Sequence, residues 1–194
     1  MVITRSEENP GGQGLTDKEI VKIIMNWPER IGAIMDIRTV VPEDLPAIIQ
    51  IESECFPEAE AASSTSLSAR VSSYPNHFWV LLDGDAMVGF VNGLVTDEPD
   101  LRDEMYENAA LHDECGAWQM IFGVDTIPSY RRQGCAGRLL RHVIKDAKAQ
   151  GRRGLVLTCK EALVHYYAKF GFVDEGISQS THGDVIWHQM RITF

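Results

Sequence analysis

Arg131-Arg132-Gln133-Gly134-Cys135-Ala136-Gly137 is the stretch that decides the fold. An apolar run, Met120-Ile121-Phe122-Gly123-Val124, and a turn carrying Pro128 precede it. Leu139, Leu140, Val143, Ile144 and Ala147 follow at the spacing of one helix face. Strand, small-residue loop and helix start, in that order, make an anion site. The first N–H groups of a helix have no intrahelical partner, and the helix dipole adds partial positive charge there. Gly134, Ala136 and Gly137 carry little or no side chain, so a pyrophosphate could approach the main chain, with Arg131, Arg132 and Arg138 as surrounding cations. Taken alone, the pattern also fits a helix start whose glycines merely ease a turn.

Composition bounds the rest. The chain of 194 residues is 44% hydrophobic and 24% charged, enough for one domain with a substantial core and an appendage. No apolar run approaches the roughly 18 residues that span a membrane. Residues 1–14 lack the apolar centre of a signal peptide, so a cytoplasmic location is expected. Cys55, Cys115, Cys135 and Cys159 show no C-x-x-C spacing and read as reduced thiols without a metal or a disulfide framework. A net charge of −10 argues against nucleic-acid partners, because there is no cationic surplus to displace counterions.

Along the chain, Thr16-Asp17-Lys18-Glu19 resembles a capping box ahead of a short amphipathic helix that Pro28 ends, within an N-terminal extension over 1–35. The domain is expected over 36–194. It opens with a strand at 36–41, a helix from Pro42 to Cys55 and a second, Ala- and Ser-rich helix from Glu58 to Val71. Strands at 78–82 and 87–95 flank the hairpin signal Asp83-Gly84-Asp85. An acidic connection over 97–115 carries a short helix at 101–108, and connections of such length often line sites. Strands at 118–127, 155–157, 172–173 and 185–192 and helices at 139–150 and 162–170 complete a mixed α/β pattern.

This element order, with Arg131-Arg132-Gln133-Gly134-Cys135-Ala136 between the fourth strand and its helix, resembles the GNAT acyltransferases over about residues 36–194. The segments 157–172 and 56–63 are most similar to arylalkylamine N-acetyltransferases. The resemblance implies an α/β fold of α+β type. Its central mixed sheet would have about seven strands and about four flanking helices, splayed at the fourth and fifth strands. It implies acetyl-CoA as co-substrate and no metal. The main chain of Val124, Asp125 and Thr126 would bind the acetyl and pantetheine part, and the loop Arg131, Arg132, Gln133, Gly134, Cys135, Ala136 and Gly137 the pyrophosphate.

Tyr167 matches the tyrosine near the thioester sulfur, where a phenol of pKa about 10 can protonate a departing thiolate. The alternative for Tyr167 is a core aromatic beside Tyr166, Phe170 and Phe172. Phe56, Glu60, Met120, Phe122 and Trp118 are candidates for the acceptor pocket, or plain core.

One departure matters. The vertebrate enzymes of that group carry two histidines on the fourth strand that help deprotonate the amine, and those positions are Met120 and Phe122 here. An alkylammonium of pKa about 10.4 must still lose a proton before it attacks. Glu54, Glu58, Glu60, His112, Asp113, Glu114 and His165 are the candidates, none favoured; His182 and His188 read as structural. Cys135 and Cys159 would serve only a ping-pong route.

The implied activity is direct acetyl transfer from acetyl-CoA to the primary amine of a small, arylalkyl-type molecule. Alternatives are a protein, peptide or polyamine N-acetyltransferase, and a non-catalytic acyl-CoA-binding module. Partners are then the amine and acetyl-CoA, with no nucleic acid and no membrane; a homodimer stays open beside a monomer.

Overall fold

The computed structural model describes residues 35–194. The expected helix near residues 16–27 lies outside them. Strand β1 (Met35–Thr39) leads through a short 3₁₀ turn into helix α1 (Leu45–Cys55), then α2 (Ser64–Ser73). Strands β2 (Phe78–Asp83), β3 (Ala86–Asn92) and β4 (Val95–Thr96) follow, then the single-turn α3 (Glu104–Glu107), β5 (Trp118–Ile121) and β6 (Gly123–Thr126). The chain closes with α4 (Cys135–Ala149), β7 (Gly154–Cys159), α5 (Glu161–Ala168), β8 (Val173–Ile177) and β9 (His188–Thr193).

The strands form a four-stranded sheet, β1-β2-β3-β6, and a five-stranded sheet, β4-β5-β7-β9-β8. All pairings are antiparallel except β5 with β7. The strands expected at 87–95 and 118–127 are each broken, which is why nine segments stand where about seven were expected. The two sheets remain joined at the break: Phe122 N–H donates to Asn92 O and Met120 N–H to Leu94 O, both at 2.8 Å. Gly93 allows this crossing, because a Cβ there would lie 1.8 Å from Met120 O.

The split opens the molecule. Pairing of β5 with β7 ends at Ile121 and Leu157, after which β6 pairs with β3 and β7 continues with β9. From Gly123 onward β6 therefore lacks a strand on its β7 side, which is the splay expected between the fourth and fifth strands.

Alternation along β2 sets the layers. Trp79 and Leu81 point to a core shared with Leu139, Leu140 and Val143 of α4, while Phe78 and Val80 point to Ile48 and Ile51 of α1 and Leu67 of α2. Trp79 Nε1–H also donates to Asp146 Oδ2 at 2.8 Å, fixing α4 across the sheet. A third core gathers Tyr74, Leu94, Met105, Trp118, Met120 and Val156.

Two element starts differ from expectation. The second helix begins at Ser64, not Glu58, because Ser63 Oγ accepts the Ser66 N–H at 3.0 Å and caps it. Residues 57–61 instead turn on Pro57 O, which accepts from Glu60 and Ala61. The last strand begins at His188, not Val185, because its ladder pairing starts there, opposite Cys159 of β7 and Ile177 of β8.

Leu139 is wholly buried between α4 and the sheet. Leu139→Ala should lower stability by about 2–5 kcal/mol, read as a drop in the denaturant midpoint at unchanged slope.

Candidate active site

A cavity of about 230 Å³ lies at the level of the split. Ile121, Phe122, Gly123 and Val124 form one wall, and Leu157 to Lys160 at the end of β7 form the opposing one. The end of α1 with the 56–62 turn, the segment around Tyr106, and the 182–187 segment close the remainder. The site is thus built by the splay.

Tyr167 projects from α5 onto this wall, 8% exposed. It meets Phe172 and Tyr166 edge-on, at ring distances of 6.0 and 5.4 Å. Its hydroxyl has no hydrogen-bond partner among the described residues, and burial pushes its pKa upward, with Cys159 as a lesser cause. It therefore stays a phenol, able to donate. Tyr166 turns away to pack on Phe170, so of the adjacent tyrosines only Tyr167 reaches the cavity.

Phe56, Glu60 and Phe122 all line the cavity. Met120 and Trp118 do not. They share the face of Phe122 but sit deeper along β5, packed with Leu94 and Met105 below the split. The position at the cavity floor belongs to Ile121.

Glu60 is ion-paired to Lys160, Oε1 to Nζ at 2.8 Å. Of the other proposed proton acceptors, Glu58 and His165 are exposed, and exposed Glu54 accepts from Gln50 Nε2 at 2.9 Å. His112, Asp113 and Glu114 lie outside the cavity lining.

His112 and Glu114 instead join His77 in the one group of metal-ligand spacing among the described residues, its candidate ligand atoms all within 4.8 Å. Its hydrogen bonds do not fit a metal. His112 Nδ1 accepts the Val95 N–H at 3.1 Å, so Nε2 keeps its proton towards Glu114. Glu114 also takes Arg152 Nη2 at 2.9 Å, and Arg152 Nη1 binds the carbonyls of Glu114 and Gly116. The cluster braces residues 112–116 against β5.

Three groups that sequence reasoning passed over occupy the α1 side. Glu52, 5% exposed, lies on the buried stripe Ile48-Ile51-Glu52-Cys55, a carboxylate at a core position and a signal in itself. Arg70 repeats this on α2, within Leu67-Arg70-Val71. Its Nη1 donates to Asn92 Oδ1 at 3.0 Å, its Nη2 to Tyr106 O at 2.8 Å, and its guanidinium lies 4.8 Å over the Phe122 ring. Tyr106 stacks on His182 at 5.1 Å, and Trp187 Nε1–H donates to His182 O at 2.8 Å. The acceptor side is therefore aromatic, with acids and cations interleaved.

On the far side of β6 the loop has the expected geometry. Gly134 sits at φ 85° as the N-cap of α4, and a Cβ there would meet nothing within 4 Å. That open cradle before a fifteen-residue helix fits a pyrophosphate. Arg132, at φ 61°, and Gln133 are exposed beside it. Gly137 has a packing role as well, since a Cβ there would lie 3.1 Å from the Phe170 ring. Cys135 and Ala136 offer main chain, the Cys135 thiol being buried. Arg131 Nε–H donates to Thr126 O at 3.2 Å and Arg138 to Met35 O, so these two cations also tie down β6 and β1.

Val124 reaches the cavity half-buried, whereas the Asp125 side chain is fully buried on the opposite, α1 face. Cys55 and Cys159 also line the cavity, and burial raises both thiols to about 11. Burial raises Cys135 too. A thiol so protonated is a poor nucleophile.

The chain is 26% identical over 168 residues to the serotonin N-acetyltransferase of Mesocricetus auratus, covering 80% of this chain and 76% of that protein. The GNAT-like decarboxylase GphF in complex with isobutyryl-CoA superposes with a TM-score of 0.71 at 24% identity, over 81% of this chain and 98% of the other. The ribosomal-protein-S18-alanine N-acetyltransferase of Escherichia coli does so with a TM-score of 0.63 at 21% identity, over 82% and 94%. Residues 45–172 match the acetyltransferase (GNAT) family model, the cradle at Gly134 and the splay at β6 lie within or beside that span, and the chain belongs to that family.

Proposed function

We propose that the chain moves an acetyl group from acetyl-CoA directly to the primary amine of a small arylalkyl molecule. Acetyl-CoA as co-substrate follows from the family. The observation that carries the acceptor assignment is the cavity. At about 230 Å³, walled by Phe56, Tyr106, Phe122 and Trp187, it has the size and lining for one small aromatic amine. The relative that is a serotonin N-acetyltransferase by name points the same way.

In this reading the cradle of α4, Arg132 through Gly137, holds the pyrophosphate with its N–H groups. The unpaired edge of β6 at Val124–Thr126 aligns the pantetheine as an added strand would. That edge aims the acetyl carbonyl at the cavity, where its N–H groups stabilise the developing oxyanion. Phe56 and Phe122 hold the aryl group, and Glu60 with Lys160 forms the polar rim.

The nitrogen attacks the carbonyl, the C–N bond forms and the C–S bond breaks, and Tyr167 gives its hydroxyl proton to the leaving thiolate. Holding both reactants together makes the step effectively intramolecular. No acetyl-enzyme is required, and the raised thiols of Cys55, Cys135 and Cys159 argue against one.

The second reading, a peptide or protein N-terminus as acceptor, rests on the likeness to the ribosomal-protein enzyme. A panel of arylalkylamines, polyamines and peptides assayed with acetyl-CoA separates the two. Turnover of tryptamine-like amines is expected; turnover of peptides alone would overturn the assignment.

Tyr167→Phe should lower kcat by roughly 10²-fold, the usual worth of a positioned general acid, with little change in acetyl-CoA affinity. A binding module without activity would show no turnover in the wild type. Gly134→Asp has room for its side chain but strains the left-handed backbone at φ 85°; the folded variant should bind CoA at least about tenfold more weakly, or ~1.4 kcal/mol, with a negative charge beside the pyrophosphate. Unchanged affinity by calorimetry would remove the loop assignment.

A further inference from the structure

We infer that Glu52 takes the proton from the acceptor ammonium, with the buried carboxyl of Asp125 behind it. This rests on the proposed amine transfer and supplies the group that the absent histidines leave open.

The geometry is specific. Glu52 is on the cavity wall at the end of α1. Its Oε1 accepts the Ala62 N–H at 2.7 Å, which fixes the carboxylate, and its Oε2 is buried with no partner. Asp125, on β6 where α1 packs, has both oxygens buried and no partner beyond the weakly donating thiol of Cys55. A Cβ on Gly123 would lie 2.8 Å from Asp125 Oδ2, so the bare α-carbon of this cavity-lining residue leaves room beside that oxygen. Arg70 Nε and Asn92 Nδ2 are unpartnered at the same place. Native structures rarely orphan so many buried polar atoms together, and a polar ligand is what such a group would satisfy.

Two carboxyls cannot both ionise cheaply in one buried site. Burial raises Glu52. Burial, then the charge of Glu52, raises Asp125 well above the usual carboxylate range. The groups facing the two carboxyls are Arg70 from α2, His182 from the 182–184 turn, Cys55 from α1, Arg131 from the loop after β6 and Tyr167 from α5. Arg70 and His182 favour an ionised Glu52, and Arg70, Arg131 and the Cys55 thiol oppose the rise at Asp125. Asp125, fully enclosed, keeps its own proton, which leaves Glu52 as the anion at the cavity.

The steps balance. R–NH3⁺ gives one proton to the Glu52 carboxylate, becoming R–NH2. The free amine attacks, Tyr167 protonates the departing sulfur, and the second proton shed by the nitrogen after addition restores the Tyr167 hydroxyl, leaving CoA–SH and the amide. Glu52 then returns its proton to solvent through the open cavity.

Glu52→Gln should lower kcat at least about 10²-fold at neutral pH. Its rate should climb with pH as free amine accumulates, while the wild-type profile levels off. Glu54→Gln, an exposed neighbour on the same helix, serves as the control with unchanged rate. An independent readout needs no substrate. Unfolded carboxyls titrate near about 4, so between that pH and the raised native value the folded state holds the extra proton, and stability falls as pH rises. The wild-type Tm should therefore decline from pH 5 to 8 relative to Asp125→Asn. A Glu52→Gln enzyme that keeps its rate and pH profile removes the role of Glu52 alone, and parallel Tm–pH curves remove the proton held by Asp125. A wild type inert on every amine removes the transfer reading and this role with it.

Discussion

The structure depends on one backbone event, the passage of a single extended segment from one sheet into the other at Phe122. Below it, β5 is paired on both sides and sealed, with β4 on one edge and β7 on the other. Above it, β6 keeps β3 and has no strand on the β7 side. A strand edge inside a protein is normally a liability, because its N–H and C=O groups await another chain. Here the exposed edge is what an extended, amide-bearing molecule such as pantetheine would pair with. Gly93 makes this possible by letting the crossing strands approach to a distance no side chain allows.

The split also separates charge. Arg131, Arg132, Arg138 and Arg141 gather on and before α4, while Glu52, Glu60 and Asp125 stand on α1, the turn after it and the β6 face beneath it. In the proposed reading the phosphates of the donor meet the α4 cations, while the acceptor ammonium meets Glu52 on a wall where Arg70 and Lys160 are interleaved with the acids. Arg131 belongs to both regions: it binds the Thr126 carbonyl and opposes the rise of Asp125.

How much of this was legible in the sequence follows from how local each signal is. The cradle could be read because the strand, the glycine and the helix lie within a short span, and the αL backbone at Gly134 is a local property. Tyr167 was legible from its segment, and the structure supplies the reason it, not Tyr166, faces the gap. Met120 was misplaced because alternation identifies a face and not a height. It shares the face of Phe122 but lies below the split, where the sheet is closed. Ser63 shortened the second helix because an N-cap hydroxyl outweighed the Ala- and Ser-rich stretch before it.

Glu52 and Asp125 were missed for a different reason. Each is an ordinary acid in its own segment, and only the packing of α1 on β6 turns them into a pair. The trace of that outcome was present as a carboxylate on the stripe Ile48-Ile51-Glu52-Cys55 and another among Val124, Thr126 and Ile127. Burying two carboxyls without full partners costs stability, and a merely structural role would be served better by Gln and Asn. Core positions that accept such a cost are where chemistry is expected. In the proposed reading the donor cradle turns on Gly134, an open position before α4, whereas Glu52 and Asp125 are drawn from the core, so the acceptor side is where folding and catalysis would compete for the same residues.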